Sequence, residues 1–244
     1  MIVHRFRTLP STNDTAAALA RDGAPAGTVV MAEEQTAGRG LRGRSWYSAG
    51  GLGLYVSIVL RPAAETLPLL PLAAGLAARD AIERTAGLSP GLKWPNDLFW
   101  EGRKLGGILC RSVFAAGGFE FAVAGIGINV GHGRNDFPSN LRGLAVSLRM
   151  ATGRTVDREA LLEAVVSSME RWNQILARGE AGAVADGFSA HSIFKPGDAL
   201  VVDTGAERFS ARYAGIAPDG SLRVIGPQGF RALPAAEIER LSVG

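Results

Sequence analysis

The run Leu92–Val130, LKWPNDLFWEGRKLGGILCRSVFAAGGFEFAVAGIGINV, decides the fold. It divides into three strand-like pieces, Leu92–Trp100, Lys104–Phe114 and Phe119–Val130, parted by glycine-containing turns. Pieces so close in sequence fold back on one another, and the run predicts a meander of mostly antiparallel strands. Upstream, Leu54–Leu60 (LYVSIVL) and Thr28–Gln35 (TVVMAEEQ) add two more strands. Between them and the meander, Leu67–Gly87 carries leucine and alanine at helical spacing, its start disturbed by Pro68 and Pro71. Ser11-Thr12-Asn13-Asp14 precedes an alanine-rich stretch ending at Gly23, which reads as a helix capped by short oxygen side chains. Downstream, Asp157–Arg178 is a second strong helix, with Asp157 as its N-cap and Gly179 as its stop.

After Phe188 the texture changes to short strands: Ala199–Asp203, Arg208–Ala217, Ser221–Ile225 and Phe230–Leu233. Pro218-Asp219-Gly220 is a hairpin turn signal. The expectation is an α+β protein. A mixed, mostly antiparallel sheet packed with helices occupies residues 1–188, and a small β-barrel occupies residues 189–244.

Composition narrows the function. The 244 residues carry a net charge of +3, and of 26 basic residues only Lys93, Lys104 and Lys195 are lysine. No basic run or stripe accompanies that charge, which argues against a nucleic-acid partner. The single cysteine, Cys110, excludes an internal disulfide framework and points to the cytoplasm. Apolar runs such as Leu52–Leu60 and Ala122–Val130 are too short for a membrane span, and the opening MIVHRFRTLPST lacks the apolar core of a signal peptide. His4, His132 and His191 are scattered without metal-ligand spacing, so a structural zinc site is not expected.

Three segments carry chemistry. In Gly38-Arg39-Gly40-Leu41-Arg42-Gly43-Arg44-Ser45-Trp46, glycine exposes backbone donors to a ligand and arginine offers forked donors for phosphate or carboxylate. The loop lies between two apolar strands, which separates it from a solvated RNA-binding tail, and it matches neither a Walker loop nor a dinucleotide fingerprint. Lys93-Trp94-Pro95-Asn96-Asp97 and the following Lys104-Leu105-Gly106-Gly107 hold two of the three lysines. A lysine within an apolar strand is costly unless it meets an anion or lays its stem on the sheet with its head in water. For Lys93 both remain open; the glycines beside Lys104 favour a ligand. Asp97 is either a turn residue or an orienter of magnesium or a basic group at a phosphate. In Gly125-Ile126-Gly127-Ile128-Asn129 the alternating glycines thin one face of a strand, and Asn129 demands a polar partner.

In order and spacing these segments resemble the biotin–protein ligases, which attach biotin to carboxylase carrier domains. The resemblance runs through Ser11-Thr12-Asn13, Gln35, Thr36-Ala37-Gly38-Arg39-Gly40, Arg42-Gly43-Arg44-Ser45-Trp46, Leu54-Tyr55-x-Ser57-x-x-Leu60-Arg61-Pro62, Lys93-Trp94-Pro95-Asn96-Asp97, Lys104-Leu105-x-Gly107-Ile108-Leu109 and Gly125-Ile126-Gly127-Ile128-Asn129. The tail from about Ser189 resembles the family's SH3-like C-terminal domain. The resemblance implies that biotin and MgATP give biotinyl-5′-AMP and pyrophosphate, and that a carrier lysine then takes the biotinyl group. It implies catalytic roles for Lys104 and Arg39. It implies a biotin pocket of Ser11, Thr12, Asn13, Gln35, Gly38, Arg39, Gly40, Lys104, Gly107 and Gly127. The ATP side falls to Arg42, Arg44, Trp46, Asn96, Asp97 and Asn129, with Asp97 as the candidate magnesium ligand. Members dimerise through sheet edges, and this chain has edge strands to offer a second copy.

Leu41 departs from the pattern, which commonly has a basic residue there; the loss of that cation implies faster leakage of the adenylate. Only ten residues precede Ser11, so no helix-turn-helix is expected and repressor function is not. A lipoate or octanoate ligase shares the adenylate chemistry, but its acyl group offers no ring N–H groups to Ser11, Thr12, Asn13 and Gln35. A module that binds biotin without turnover is opposed by Lys104.

Overall fold

The computed structural model describes residues 2–244. A seven-stranded sheet is built from β1 (Ile2–Leu9), β2 (Thr28–Gln35), β3 (Gly53–Leu60), β4 (Gly91–Lys93), β5 (Asp97–Trp100), β6 (Arg103–Ala115) and β7 (Gly118–Asn129). Its order is β1-β2-β3-β7-β6-β5-β4. The β1–β2 pair is parallel and every other pair antiparallel, so the sheet is mixed and mostly antiparallel, as expected. Two helices pack on one face, α2 (Leu70–Ala86) and α4 (Arg158–Ala177), with α5 (Ala181–Ala190) against them; α1 (Thr12–Arg21) packs on the other, and the short α3 (Leu148–Thr152) follows the sheet.

The central strands are apolar on both faces because both are covered. Val30, Ala32, Val59, Phe121 and Val123 meet Ala16, Ala17 and Ala20 of α1. Their neighbours Val29, Met31, Ile58, Ala124, Ile126 and Ile128 turn to the larger core under α2 and α4. Alanine on α1 lets its backbone lie close to the sheet. The ends of the helices follow from local chemistry. Asp157 accepts from the amides of Glu159 and Ala160, while Gly87 adopts φ 63°, a left-handed conformation that costs glycine little. Pro71 occupies the first turn of α2, where a missing N–H is harmless, and Pro68 sits in the 3-10 turn Ala64–Leu69 before it.

Several expectations need correction. Leu92–Trp100 is not one strand: it folds as β4, a turn with a cis Trp94–Pro95 bond, and β5. Ser11 stands at the N-cap of α1 without a side-chain capping bond; Gln35 Oε1 accepts from the Thr12 amide instead, at 2.9 Å. The strand β1 and the helices α3 and α5 had no reading at all. Polar alternation in HRFRT weakened the strand signal, and glycine at 182 and 187 weakened the helix signal.

The second sheet comprises β8 (Ala199–Asp203), β9 (Arg208–Ile216), β10 (Leu222–Gly226), β11 (Gly229–Leu233) and β12 (Arg240–Val243), in the order β11-β10-β9-β8-β12. No pairing joins β11 to β12 among the described residues, so the sheet is open and not the closed barrel expected. Its inner residues Leu200, Val202, Tyr213, Leu222 and Val224 continue the main core. The indole N–H of Trp94 donates to the carbonyl of Gly220 at 3.0 Å, and Leu92 exchanges backbone bonds with His191 and Ile193. The turn between β4 and β5 is thereby fastened to the C-terminal sheet. No helix among the described residues is long and apolar enough to cross a membrane.

Candidate active site

The register of three strands creates the site. Ser57 and Tyr55 on β3 lie opposite Gly125 and Gly127 on β7, which in turn lie opposite Leu109 and Gly107 on β6. On the α1 face of β7, Phe121 and Val123 lie beneath the helix; one step further along, the same face carries glycine. Side chains shrink just where α1 ends, leaving a cavity of about 160 Å3 beside the helix N-terminus. A Cβ at Gly127 would stand 2.7 Å from the Trp46 indole nitrogen, and one at Gly125 would enter the Asn13 amide.

One end of the cavity is neutral and hydrogen-bonding. Thr12 and its hydroxyl contact Gln35 Oε1, at 2.9 and 3.1 Å, and the Gln35 amide donates to Ser48. Asn13 donates to the Leu109 carbonyl at 3.0 Å, while the fully buried Ser57 donates to Asn13 Oδ1 at 2.7 Å and stands 2.8 Å from Thr12 Oγ1. These bonds lock the rotamers of the polar set before any ligand arrives.

The other end is cationic. Lys104 Nζ lies 2.6 Å from Asp97 Oδ1 and 5.4 Å from the centre of the Trp46 ring. Arg39, Arg42 and Arg44 reach the rim from the loop above. That loop is a tight hairpin: the Trp46 amide donates to the Gly38 carbonyl at 2.9 Å, the Gly40 amide to Arg44 at 2.6 Å, and Arg39 pairs with Ser45. Arg42 at its tip holds φ 59°, an uncommon conformation for a side chain this size. Three bonds tie the loop down. Arg39 pairs with Asp14 of α1, which also takes Arg111; Arg42 donates to the carbonyl of Ala235 at 3.2 Å; Tyr47 donates to the carbonyl of Asp136 at 3.0 Å. Trp46 lies beneath the loop on the glycine floor, its indole N–H buried with no acceptor among the described residues. Buried donors of this kind call for a partner.

Most expected site residues converge here: Ser11, Thr12, Asn13, Gln35, Arg39, Gly40, Arg42, Arg44, Trp46, Asn96, Asp97, Lys104, Gly107 and Gly127 all line the cavity. Two lie elsewhere. Gly38 sits at the foot of the hairpin, where a Cβ would press on the Trp46 carbonyl at 2.6 Å. Asn129 ends the central strand β7, is buried, and donates to the carbonyl of Val146 at 3.1 Å, a bond that ties the chain after β7 to the sheet. Asn96 lines the cavity, though its amide donates to the Ile108 carbonyl at 2.7 Å. Asp97 Oδ1 is buried and lies 2.6 Å from Lys104 Nζ, and no group of three His, Cys, Asp or Glu side chains gathers there among the described residues. Reading the residues one by one missed Ser48, Glu239 and the structural part of Ser57. Ser57 had a signal, as the one small polar side chain within LYVSIVL; Glu239 had none, because only the tertiary fold brings the C-terminal segment to the cavity.

Burial sets the charge states nearby. Tyr55, whose hydroxyl donates to Ala49, is pushed well above the usual phenol range by burial and stays neutral. Cys110 is driven up to about 12 by burial, which leaves it an inert thiol in the sheet.

Fold and cavity together define a site for a small molecule with a hydrogen-bonding head and an anionic tail, closed by an arginine-bearing loop. Residues 6–129 match the model of the biotin/lipoate A/B protein ligase family. The bifunctional ligase/repressor BirA of Bacillus subtilis is 34% identical over 240 residues, which are 95% of this chain and 71% of that protein. A biotin–[acetyl-CoA-carboxylase] ligase of Paracoccus denitrificans is 33% identical over 234 residues, 93% of this chain and 96% of that one. A biotin protein ligase from Aquifex aeolicus, solved with biotin and ATP, superposes with a TM-score of 0.86 at 25% identity, covering 100% of this chain and 99% of its own. The chain belongs to the biotin/lipoate A/B protein ligase family.

Proposed function

We propose that this protein activates biotin with ATP to biotinyl-5′-AMP and transfers the biotinyl group to a lysine of a biotin carboxyl carrier domain. The observation that carries the reading is the polarity of one cavity: Thr12, Asn13 and Gln35 at one end, Lys104 and Arg39 at the other, glycine between. Biotin has that polarity, with a ureido ring that both donates and accepts and a valerate carboxylate beyond an apolar bicycle. A lipoyl or octanoyl chain has no ring N–H or ureido carbonyl to add to this oriented polar set, which favours biotin over them.

Both reactants of the first step are anions. The Lys104 ammonium and Arg39 guanidinium offset that repulsion at the meeting point of carboxylate and α-phosphate. Asp97 holds Lys104 in place across the pocket mouth until substrate oxygens compete for it. Arg42 and Arg44 lie on the nucleotide side, with Trp46 and Asn96 between. ATP enters as its magnesium complex, the metal being carried mainly by phosphate oxygens and water. No enzyme nucleophile is needed, because the carboxylate itself attacks phosphorus. The closed hairpin keeps water from the mixed anhydride until the carrier lysine arrives. The cytoplasm supplies ATP and carrier, consistent with one unpaired cysteine.

Transfer of labelled biotin to a carrier domain tests this. Wild-type protein labels the carrier only with ATP, and Lys104→Ala lowers the adenylation rate by about 10²–10³, the scale of losing one transition-state charge contact. Full activity in Lys104→Ala, or labelling by lipoate in place of biotin, overturns it.

A further inference from the structure

The hairpin over the cavity carries three arginines, and one is held differently from the others. A second cavity of about 450 Å3 opens beside the first, between the hairpin, the turn joining β4 to β5, and the C-terminal sheet. Arg42 and Arg44 line both cavities, whereas Arg39 lines only the first. The cations lining the first cavity are Arg39, Arg42, Arg44 and Lys104. Among the described residues, only two of these four pair with a carboxylate, Lys104 with Asp97 and Arg39 with Asp14. Asp14 lies in the first turn of α1 and gives Oδ2 to Arg39. Its other oxygen, Oδ1, accepts from Arg111 of β6 at 3.2 Å. Asn13, one residue earlier, donates to the Leu109 carbonyl of the same strand at 3.0 Å. One carboxylate thus joins the hairpin, the helix that bears the polar set, and the strand that bears Lys104 and Gly107.

A single carboxylate between two guanidinium groups leaves one positive charge in excess. The cluster therefore still attracts an anion while the fork of Arg39 is held in one direction. Without that hold, a long side chain flanked by Gly38 and Gly40 would sample many rotamers. We infer that Asp14 is a positioning residue for adenylation: anchored by Arg111, it fixes the Arg39 guanidinium at the cavity wall and the hairpin with it. The inference rests on the adenylation proposed above. In that step two anions are forced together, and a cation already in place spares the ordering cost at the moment of reaction. Asp14 does not line the cavity, so it acts through Arg39 and not on a substrate. A carboxylate in the first turn of a helix also favours the helix dipole. That second contribution does not depend on Arg39, which supplies the control.

The test uses the full chain, with Asp14→Asn made both alone and in an Arg39→Gln background. Two readouts are followed. Tryptic cleavage after Arg42 and Arg44 in the ligand-free protein reports how firmly the hairpin is held, whether or not the protein adenylates biotin. Single-turnover formation of biotinyl-5′-AMP at saturating biotin reports the chemistry. Expected in Asp14→Asn is about fivefold faster cleavage and about fivefold slower adenylation, the scale of one partly exposed ion pair. KM for biotin should move by less than about twofold, since the polar set that grips the ring is untouched. Arg111→Gln should shift both readouts in the same direction and by less. In the Arg39→Gln background, Asp14→Asn should change neither readout further. Unaltered cleavage and adenylation in Asp14→Asn overturn the inference, and unaltered readouts in Arg111→Gln overturn the anchor. A loss that persists in full without Arg39 also overturns the inference, because it would mark Asp14 as a support of α1 alone. Cleavage that responds to Asp14 in a protein that forms no biotinyl-5′-AMP would instead overturn the proposed function and leave the hold of Asp14 on Arg39 standing.

Discussion

The two faces of β7 read the same backbone in opposite ways. Ile126 and Ile128 point into the core beneath α2 and α4, where bulk is used to exclude water. Gly125 and Gly127 point to the other face, where bulk has been deleted to admit a ligand. Strand alternation makes this possible: with a side-chain period of two, one strand can serve a core and a pocket residue by residue. The lesson is that the pocket is an interruption of packing, placed where α1 stops covering the sheet.

That contrast breaks cleanly under mutation. Gly125→Val drives a branched side chain into the Asn13 amide, and biotin binding should weaken by at least about 100-fold, the scale of filling a site and unseating its hydrogen bonds. Isothermal titration measures it; near-native affinity would show that the glycine floor is not the biotin surface. Ile128→Ala, on the opposite face, should cost about 2–5 kcal/mol of stability. KM for biotin should hold, because Ile128 is fully buried away from the cavity. Thermal unfolding together with steady-state kinetics separates the two; a changed KM with an unchanged Tm would collapse the distinction between the faces.

A third test concerns the chain just past β7. His132 is fully buried, stacks on Phe137 with ring centroids 4.6 Å apart, and packs near Tyr47 at 6.2 Å. Both its ring nitrogens lack partners among the described residues. Burial lowers its pKa from 6.5 to about 4, with Asp136 opposing. The unfolded chain therefore binds the proton first on acidification. The stability held by neutral His132 is complete above pH 6.5 and is lost as pH falls toward 4, up to about 3 kcal/mol in all. His132→Phe keeps an aromatic ring against Phe137 and should flatten that part of the pH profile. An unchanged slope between pH 6.5 and 4 in the variant would assign the acid sensitivity elsewhere.

How much was legible follows the same division. The glycine alternation of Gly125–Gly127, the lysine beside Gly107 and the arginine hairpin were visible because each breaks a local rule: small residues in a strand, a charge in an apolar run, positive charge without carboxylates. Ser11 stands at the N-cap of α1 but makes no side-chain capping bond, since Gln35 from a strand accepts from the Thr12 amide instead. Asn129 looked like a ligand residue for the same reason it is buried, being a polar group in an apolar run, and only the fold shows that Val146 satisfies it. The open edges of the C-terminal sheet were not legible either. Closure depends on how β11 and β12 diverge, and short alternating strands look alike in a barrel and in an open sheet. Glu239 and Arg240 reach the cavities through that sheet's docking, a long-range event with no local signature.

The smallest expected effect sharpens the comparison at the lid. Leu41 is exposed, at 39%, and it lines both cavities. It is apolar on a loop whose neighbours Arg39, Arg42 and Arg44 are all cations. An apolar side chain there adds nothing to the attraction for an adenylate phosphate, so the closed hairpin relies on its ties to Asp14, Ala235 and Asp136. Leu41→Arg adds one exposed charge, worth up to about 1 kcal/mol, and should slow biotinyl-5′-AMP release by about fivefold or less. Because the charge is exposed, the difference should shrink as ionic strength rises past about 0.15 M, where screening acts within about 8 Å. Release rates measured in single turnover at low and high salt decide the matter. Equal rates at low salt would mean that retention is set by the loop's three ties alone. A difference that persists at high salt would mean that Leu41 acts through packing against the C-terminal segment and not through its missing charge.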